Sequence, residues 1–173
     1  MITMRVGQGF DVHRFSDDPA RRLVLGGVTF PGEAGLVGHS DADAVAHAVA
    51  DALLGAAGLG DIGEHFPDTE ERWRGADSIE VLVAVATMLI EAGWQVGNVD
   101  CAVVCERPKL APHRAAMQAR LSAAAGGPVT VKGRRAEGLG AIGRREGIAC
   151  WAVAVIVATN DEASERTADG SET

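Results

Sequence analysis

Residues 39–47 read His39-Ser40-Asp41-Ala42-Asp43-Ala44-Val45-Ala46-His47, and residues 11–13 read Asp11-Val12-His13. The first stretch opens a helix. Ser40 or Asp41 is the expected cap, and Val45, Val49, Ala52, Leu53 and Ala56 carry an apolar stripe to about Ala57. The second stretch ends a strand running from Met4 to His13. Side chains two apart on a strand point to the same face, so Asp11 and His13 share one. If the fold brings His47 to that face, one carboxylate and two imidazoles converge. Nitrogen and oxygen donors of this kind suit zinc, and three protein ligands leave one position open for a substrate. The plainer reading stands beside it, since a lone Asp-x-His in a strand is more often structural. Gly7 and Gly9 precede the pair, and glycine inside a strand marks a place where another backbone comes close.

Asp43, His47 and Asp51 are spaced i, i+4, i+8 and so lie on one helix face. One of these aspartates is expected to hold the second imidazole nitrogen of His47. For Asp51 a solvated polar face is the alternative.

Outward from this core the order of elements is legible. Leu23 to Phe30 is extended, with glycines in Leu23-Val24-Leu25-Gly26-Gly27-Val28, and Ser16 to Arg22 is a loop. Gly58 to Asp77 is rich in Gly, Asp and Pro and long for a plain connection. Asp77-Ser78 caps a helix from Ile79 to Ala92, stopped by Gly93. Val96 to Cys105 alternates as a strand, Leu110 to Ala125 is a helix with Gly126-Gly127 after it, and Val129 to Lys132 is a short strand. Ile148 to Ala158 is strongly β-like and is expected in the middle of the sheet. Two early strands before any helix favour an α/β or α+β single domain, with helices packed over one sheet. That domain spans residues 1–159, and the polar stretch 160–173 is expected to be a disordered tail.

The 173 residues are 47% hydrophobic but only 4% aromatic, without tyrosine, so the core is mostly Ala, Val, Leu and Ile. No apolar run reaches membrane-span length and no secretory signal is visible. A net charge of −8 argues against general nucleic-acid binding. Three cysteines, Cys101, Cys105 and Cys150, form no paired motif, which suggests reduced thiols in the cytoplasm.

A longer set of motifs then lines up in order. It comprises Gly9-Phe10-Asp11-Val12-His13, Leu25-Gly26-Gly27-Val28, Gly38-His39-Ser40-Asp41-Ala42-Asp43 and His47-Ala48. Asp51-Ala52-Leu53-Leu54-Gly55-Ala56-Ala57, Gly60-Asp61-Ile62-Gly63, Phe66-Pro67-Asp68-Thr69 and Gly75-Ala76-Asp77-Ser78 follow. Arg107-Pro108-Lys109 and Gly147-Ile148-Ala149 complete it. Over residues 4 to 158 the chain closely resembles the 2-C-methyl-D-erythritol 2,4-cyclodiphosphate synthase family of non-mevalonate isoprenoid biosynthesis.

The resemblance implies a homotrimer whose subunits each have a four-stranded sheet with helices on one face, and active sites between subunits. It implies a cytidine diphosphate ester of methylerythritol 2-phosphate as substrate, whose 2-phosphate attacks the β-phosphorus and expels CMP. Zinc falls to Asp11, His13 and His47, and Asp11, Val12 and His13, with Arg134, Ala136, Ala141 and Arg144, are expected substrate contacts. Magnesium or manganese bridging the substrate phosphates falls to Glu137. His39 and Ser40 match phosphate contacts, and helix N-termini favour anions independently. Asp61, Ile62, Gly63, Phe66, Pro67, Asp68, Thr69 and Glu70 match the part that holds the methylerythritol. Cys105, Glu106, Arg107, Pro108, Lys109, Leu110 and Ala111 match the cytosine pocket. His39, Arg135 and Glu137 are the expected catalytic residues.

Two motifs depart from the family. Its Lys-Ala-Thr-Thr-Thr-Glu is Lys132-Gly133-Arg134-Arg135-Ala136-Glu137 here, so arginines stand where threonine hydroxyls donate to phosphate. Arginine clamps phosphate strongly but is longer and planar, and Arg135 is expected to face the β-phosphate. Further on, Ala141 replaces an aromatic that lines a cavity on the trimer axis, where isoprenoid diphosphates bind in the family. Arg144 and Glu146 still match. An active synthase is the first reading. A catalytically weak binder of a nucleotide or isoprenoid diphosphate is the second, and a zinc hydrolase is the third, lacking any His-Glu-x-x-His-type base.

Overall fold

The computed structural model describes residues 3–159, so the expectation of a disordered 160–173 tail lies outside the described residues. Along the chain run β1 (Met4–Arg14), β2 (Leu23–Leu25), β3 (Val28–Phe30), α1 (Ala44–Ala57) and the single turn α2 (Ile62–His65). A 3-10 turn (Glu71–Trp73), α3 (Ser78–Glu91), β4 (Trp94–Val104), α4 (Arg114–Ala125), β5 (Val129–Arg134), α5 (Gly140–Gly143) and β6 (Gly147–Ala158) follow.

The main sheet has the order β1-β6-β4-β5. Only β4 and β5 run parallel, joined by α4 as the crossover. β6 is an interior strand, antiparallel to both β1 and β4, as its apolar run predicts. The extended segment at 23–30 is not one strand but the hairpin β2-β3, separate from the main sheet. Gly26 (φ 57°) and Gly27 (φ 70°) form its turn in the left-handed region, which other residues enter only with strain. α1 begins later than expected. Asp43, not Ser40 or Asp41, is the cap and accepts from the Val45 and Ala46 amides. α4 begins at Arg114 rather than Leu110, because Leu110 to His113 is taken up by a turn closed by His113 N–H on the Leu110 carbonyl at 2.9 Å.

All three long helices cover the same face of the sheet, with α1 over β1 and β6, α3 against β4 and α4 against β5. The core between them is the expected aliphatic one, with Leu53, Leu54, Leu82, Leu89, Leu121, Ile148 and Ile156 fully buried. Each such side chain contributes roughly 1.5–3 kcal/mol of burial. On the uncovered face, strand alternation leaves Val6, Phe10, Val12, Trp151 and Val153 exposed, with Phe10 packed on Trp151 at 4.8 Å.

α1 sits unusually low on β1. A Cβ on Gly7 would lie 2.1 Å from the Ala52 carbonyl oxygen, and one on Gly9 would lie 2.0 Å from that of Ala48. The two strand glycines and the alanines facing them thus let the backbones touch, as Gly7 and Gly9 foreshadow. This contact sets the height of His47 above β1.

Candidate functional site

Asp11 and His13 sit near the end of β1, opposite Cys150 and Ile148 of β6, with side chains on the helix-covered face. His47 comes down from the first turn of α1. Asp11 Oδ2 is 3.0 Å from His13 Nε2 and 3.0 Å from His47 Nδ1, and one donor atom from each residue falls within a 4.8 Å group.

Each ring is oriented by its other nitrogen. His13 Nδ1–H donates to the Val37 carbonyl at 2.6 Å, which leaves the lone pair on Nε2. That Nε2 is buried and has no hydrogen-bond partner among the described residues. His47 Nε2–H donates to Ser78 Oγ at 2.9 Å, and Ser78 Oγ–H donates in turn to Asp41. Ser40 Oγ lies 3.2 Å from the same nitrogen. A carboxylate oxygen and two imidazole lone pairs therefore face one point. This donor set fits zinc, and an orphaned buried nitrogen among them is what a metal ligand looks like.

The electrostatics agree. Burial pushes the Asp11 carboxyl upward, but the close imidazoles of His13 and His47 outweigh it and hold the group well below the usual carboxylate range. Burial works against charge on His13, yet the adjacent Asp11 raises its pKa above the ordinary value. Asp11 and His13 thus favour each other's charged form.

The supporting residues differ from those expected. Neither Asp43 nor Asp51 holds His47. Asp43 is fully buried and accepts from Gly26 N (2.8 Å), Gly27 N (2.6 Å), Val45 N (3.0 Å) and Ala46 N (3.1 Å), tying the hairpin turn to the start of α1. Burial holds its carboxyl above the usual range despite those amides. Asp51 accepts from Ile62 N at 3.4 Å, joining α2 to α1. Ser78 holds His47 instead. It arrives from the N-terminus of α3, and helix-face spacing within α1 cannot reveal it. Arg21, from the loop before β2, is the other residue that sequence reading passes over. Its Nη2 donates to Gly38 O (2.9 Å) and Ser40 O (2.6 Å), and its Nε to Leu36 O, bracing the segment that carries His39.

Beside the metal donors opens a cavity of about 260 Å³ lined by His13, His39, Ser40, His47, Phe66 and Asp68, among others. Ile62 also lines it, as does Trp73, which packs edge-on against Phe66 at 5.0 Å. His39 Nε2 is 3.2 Å from the Glu70 carbonyl oxygen. Asp61 stands outside this cavity and caps α2 through the Glu64 amide at 3.0 Å. Gly63, Pro67, Thr69 and Glu70 frame the segment without lining the cavity. Val12 points to the opposite, uncovered face, since strand alternation separates it from Asp11 and His13.

A second cavity, also about 260 Å³, lies at the ends of β4 and β5. Cys105, Glu106, Pro108, Lys109, Leu110 and Ala111 line it, as do Arg134 and Arg135. Burial pushes the Cys105 thiol up to about 11, so it is an inert wall. Arg107 lines an adjoining cleft. Arg134 lies on the uncovered sheet face, its Nη1 donating to the Gly133 carbonyl at 3.0 Å. Arg135 is engaged by Glu106, with Nε at 3.0 Å and Nη2 at 2.8 Å from Oε2. Arg135 first, and then backbone amides, hold the Glu106 carboxyl below its usual value. Ala136 and Glu137 form the turn after β5, Ala141 lies in α5, and Arg144 pairs with Glu146 at 2.6 Å. No described residue lines both the metal cavity and this second one.

The comparisons with known proteins agree on one family. The YgbB family profile matches residues 4–157. A Rubrobacter xylanophilus protein named 2-C-methyl-D-erythritol 2,4-cyclodiphosphate synthase is 57% identical over 157 residues, covering 88% of this chain and 94% of its own. A bifunctional IspD/IspF enzyme of Anaeromyxobacter dehalogenans is 53% identical over 154 residues, covering 87% of this chain, which spans only 39% of that longer protein. Among solved structures, Plasmodium falciparum IspF in a CDP complex superimposes with a TM-score of 0.78 at 31% identity, over 91% of this chain and 97% of that one. The chain therefore belongs to the YgbB family, among relatives named as 2-C-methyl-D-erythritol 2,4-cyclodiphosphate synthases.

Proposed function

We propose that this protein converts 4-diphosphocytidyl-2-C-methyl-D-erythritol 2-phosphate into 2-C-methyl-D-erythritol 2,4-cyclodiphosphate and CMP. The observation that carries the reading is the convergence of Asp11, His13 and His47 at the mouth of a cavity, in a chain of this family. An oxygen of the 2-phosphate attacks the β-phosphorus. The bond from that phosphorus to the α-phosphate oxygen breaks, and CMP departs with its electrons. The nucleophile is already an anion, so no side-chain nucleophile is required, and the protein's work is positioning and charge stabilisation.

Zinc held by Asp11, His13 and His47 would supply Lewis acidity toward a phosphate oxygen. Glu137 offers one carboxylate for magnesium or manganese beside the phosphates, as hard oxygen coordination prefers. His39 and Ser40 donate to phosphate, and His39 acts in catalysis with Glu137. Asp68, with Ile62 and Phe66 beside it, holds the methylerythritol hydroxyls. Asp61, Gly63, Pro67, Thr69 and Glu70 shape that end of the site. The segment Cys105 to Ala111 takes the cytidine, as the CDP complex of the Plasmodium relative encourages.

The substrate has to span both cavities, yet no described residue lines both. The reading therefore includes a homotrimer in which the metal cavity of one copy meets the Lys109 cavity of the next. The apolar face of Val6, Phe10, Trp151 and Val153 supports such burial. Ala141 and Arg144 would then stand near the trimer axis, where Ala141 removes the aromatic wall against which the family binds an isoprenoid diphosphate. Three buried free cysteines among the described residues suit a reducing cytoplasm, and no helix there is long and apolar enough to cross a membrane.

The test is incubation of the protein, loaded with zinc and magnesium, with the cytidine diphosphate substrate. Cyclic diphosphate and CMP in equal amounts are expected. Tight CDP binding with neither product would favour the weak-binder reading, and a linear hydrolysis product would favour the zinc hydrolase. A stable, fully active monomer in light scattering would exclude shared sites.

A further inference from the structure

The arginine that replaces a threonine at position 135 does not reach outward for a phosphate. It turns back onto Glu106. The Glu106 side chain is only 4% exposed, although it sits at the rim between two cavities, while that of Arg135 is 65% exposed. Both Nε and Nη2 of Arg135 converge on Oε2. The other oxygen, Oε1, accepts from Gly138 N at 3.3 Å. One carboxylate therefore ties the end of β5 to the turn that follows it.

That turn is strained. Glu137 has φ 52° and Gly138 has φ 76°, two successive residues in the left-handed region. For glutamate this conformation costs about 1 kcal/mol or more, and it persists only when the surroundings impose it. The bonds available to impose it are few. Leu139 N–H closes the turn on the Ala136 carbonyl at 2.9 Å, Gly143 packs against Gly138, and Glu106 holds Gly138 from the other side.

We propose that Glu106 is a positioning residue: with Arg135 as its fixed counter-ion, it sets the backbone turn that presents Glu137. Glu106 is the hub because, among the described residues, it alone bonds both the guanidinium and the backbone amide. Arg135 keeps the carboxylate ionised and aimed, so it serves the site through Glu106 and not by touching substrate. The hydroxyls missing from this turn are thereby offset by a device reaching over from β4. The inference rests on the functional reading above, in which Glu137 holds a divalent ion beside the phosphates.

The experiment uses the full-length zinc-loaded protein and its Glu106→Gln, Glu106→Ala and Arg135→Gln variants. It has three readouts: CMP release as a function of magnesium concentration, CDP affinity by calorimetry without magnesium, and amide hydrogen exchange of residues 136–140 in ligand-free protein. In both Glu106 variants the half-saturating magnesium concentration is expected to rise about tenfold, the scale of one charge-assisted hydrogen bond, and by a larger factor than CDP affinity falls. The Gly138 amide is expected to exchange about tenfold faster in the same variants, as loss of one such bond predicts. Arg135→Gln is expected to do less on both counts, because Glu106 still holds the amide. Unchanged magnesium response and exchange in Glu106→Ala would overturn the proposal. So would lost CDP affinity with normal magnesium response, which would make Glu106 a nucleotide contact. If the wild-type protein makes no cyclic product, the functional reading fails, while the exchange readout still decides whether Glu106 sets the turn.

Discussion

His47 Nδ1 on α1 stands 3.0 Å from Asp11 Oδ2 on β1, and the reason is not in either residue. It is the absence of side chains at Gly7 and Gly9, which lets α1 settle onto the strand until the Ala48 and Ala52 carbonyls meet the β1 backbone. A metal site assembled from two elements is only as exact as their separation.

Gly9→Ala tests this directly. Its Cβ would overlap the Ala48 carbonyl, so α1 has to lift or tilt. The expected cost is about 1–3 kcal/mol of stability, as for overpacked cores, with zinc content falling in the protein that still folds. Urea denaturation and metal analysis measure both. A variant with normal stability and a full complement of zinc would show that the close approach is unimportant.

Zinc uptake is expected to weaken as pH falls. The Asp11 carboxylate raises the His13 pKa above its ordinary value, so a proton competes for the Nε2 lone pair at and below that raised pKa. Affinity then drops about tenfold per pH unit below it, with a proton released on binding. For the zinc-free protein, the raised His13 contributes stability that is fully present below the unfolded histidine pKa and lost as pH rises through the folded one. Asp11, shifted down, contributes stability present above the unfolded carboxylate pKa and lost only in stronger acid. Zinc-free stability from this pair is therefore greatest between about pH 4 and 6.5, the ordinary carboxylate and imidazole values. Calorimetry in buffers of different ionisation enthalpy measures the proton, and pH-dependent melting measures the window. Zinc affinity that is flat from pH 5 to 8 would contradict the assignment.

Ser78→Ala removes the acceptor for His47 Nε2–H and cuts the link to Asp41. Loss of such an outer partner costs about 10–100-fold in metal affinity. Asp51→Ala, on the helix face of His47 but bonded to the Ile62 amide, is expected to leave zinc affinity unchanged. Competition with a chromogenic chelator compares the two. Equal effects would return Asp51 to the role that helix spacing suggests for it.

Asp43→Asn separates folding from metal binding. Asparagine has one acceptor oxygen where the carboxylate uses two, so the Gly27 amide faces an NH2 group instead of an oxygen. A buried donor without a partner costs about 1–3 kcal/mol. The folded fraction is expected to bind zinc normally, because Asp43 makes no contact with the donor atoms. A stability equal to wild type, measured by denaturant midpoint, would mean that the hairpin turn does not depend on this residue.

Much of this protein was determined by sequence alone, because it rests on local chemistry. Period-two alternation placed Asp11 and His13 on one face, and period-3.6 spacing placed His47 on one face of α1 with Asp43 and Asp51. Gly7 and Gly9 announced a close approach before it was seen. Gly93 and Gly126, which follow α3 and α4, marked where those helices stop, and the apolar run at 148–158 put β6 inside the sheet. The ordered motifs carried the metal donors and the family.

What tertiary structure decided are contacts between elements distant in the chain, where no periodicity connects the partners. Asp43 left the histidine and joined a hairpin turn at Gly26 and Gly27. Ser78, thirty-one residues from His47, took its place. Arg21 reached the carbonyls of residues 36–40 from an unremarkable loop. Arg135, which charge alone sends to a phosphate, pairs instead with Glu106, twenty-nine residues earlier, because that carboxylate, just past the end of the parallel neighbour β4, lies within reach of its guanidinium. Each of these is a polar group paired with the nearest available partner in space, and only the folded arrangement specifies which partner that is.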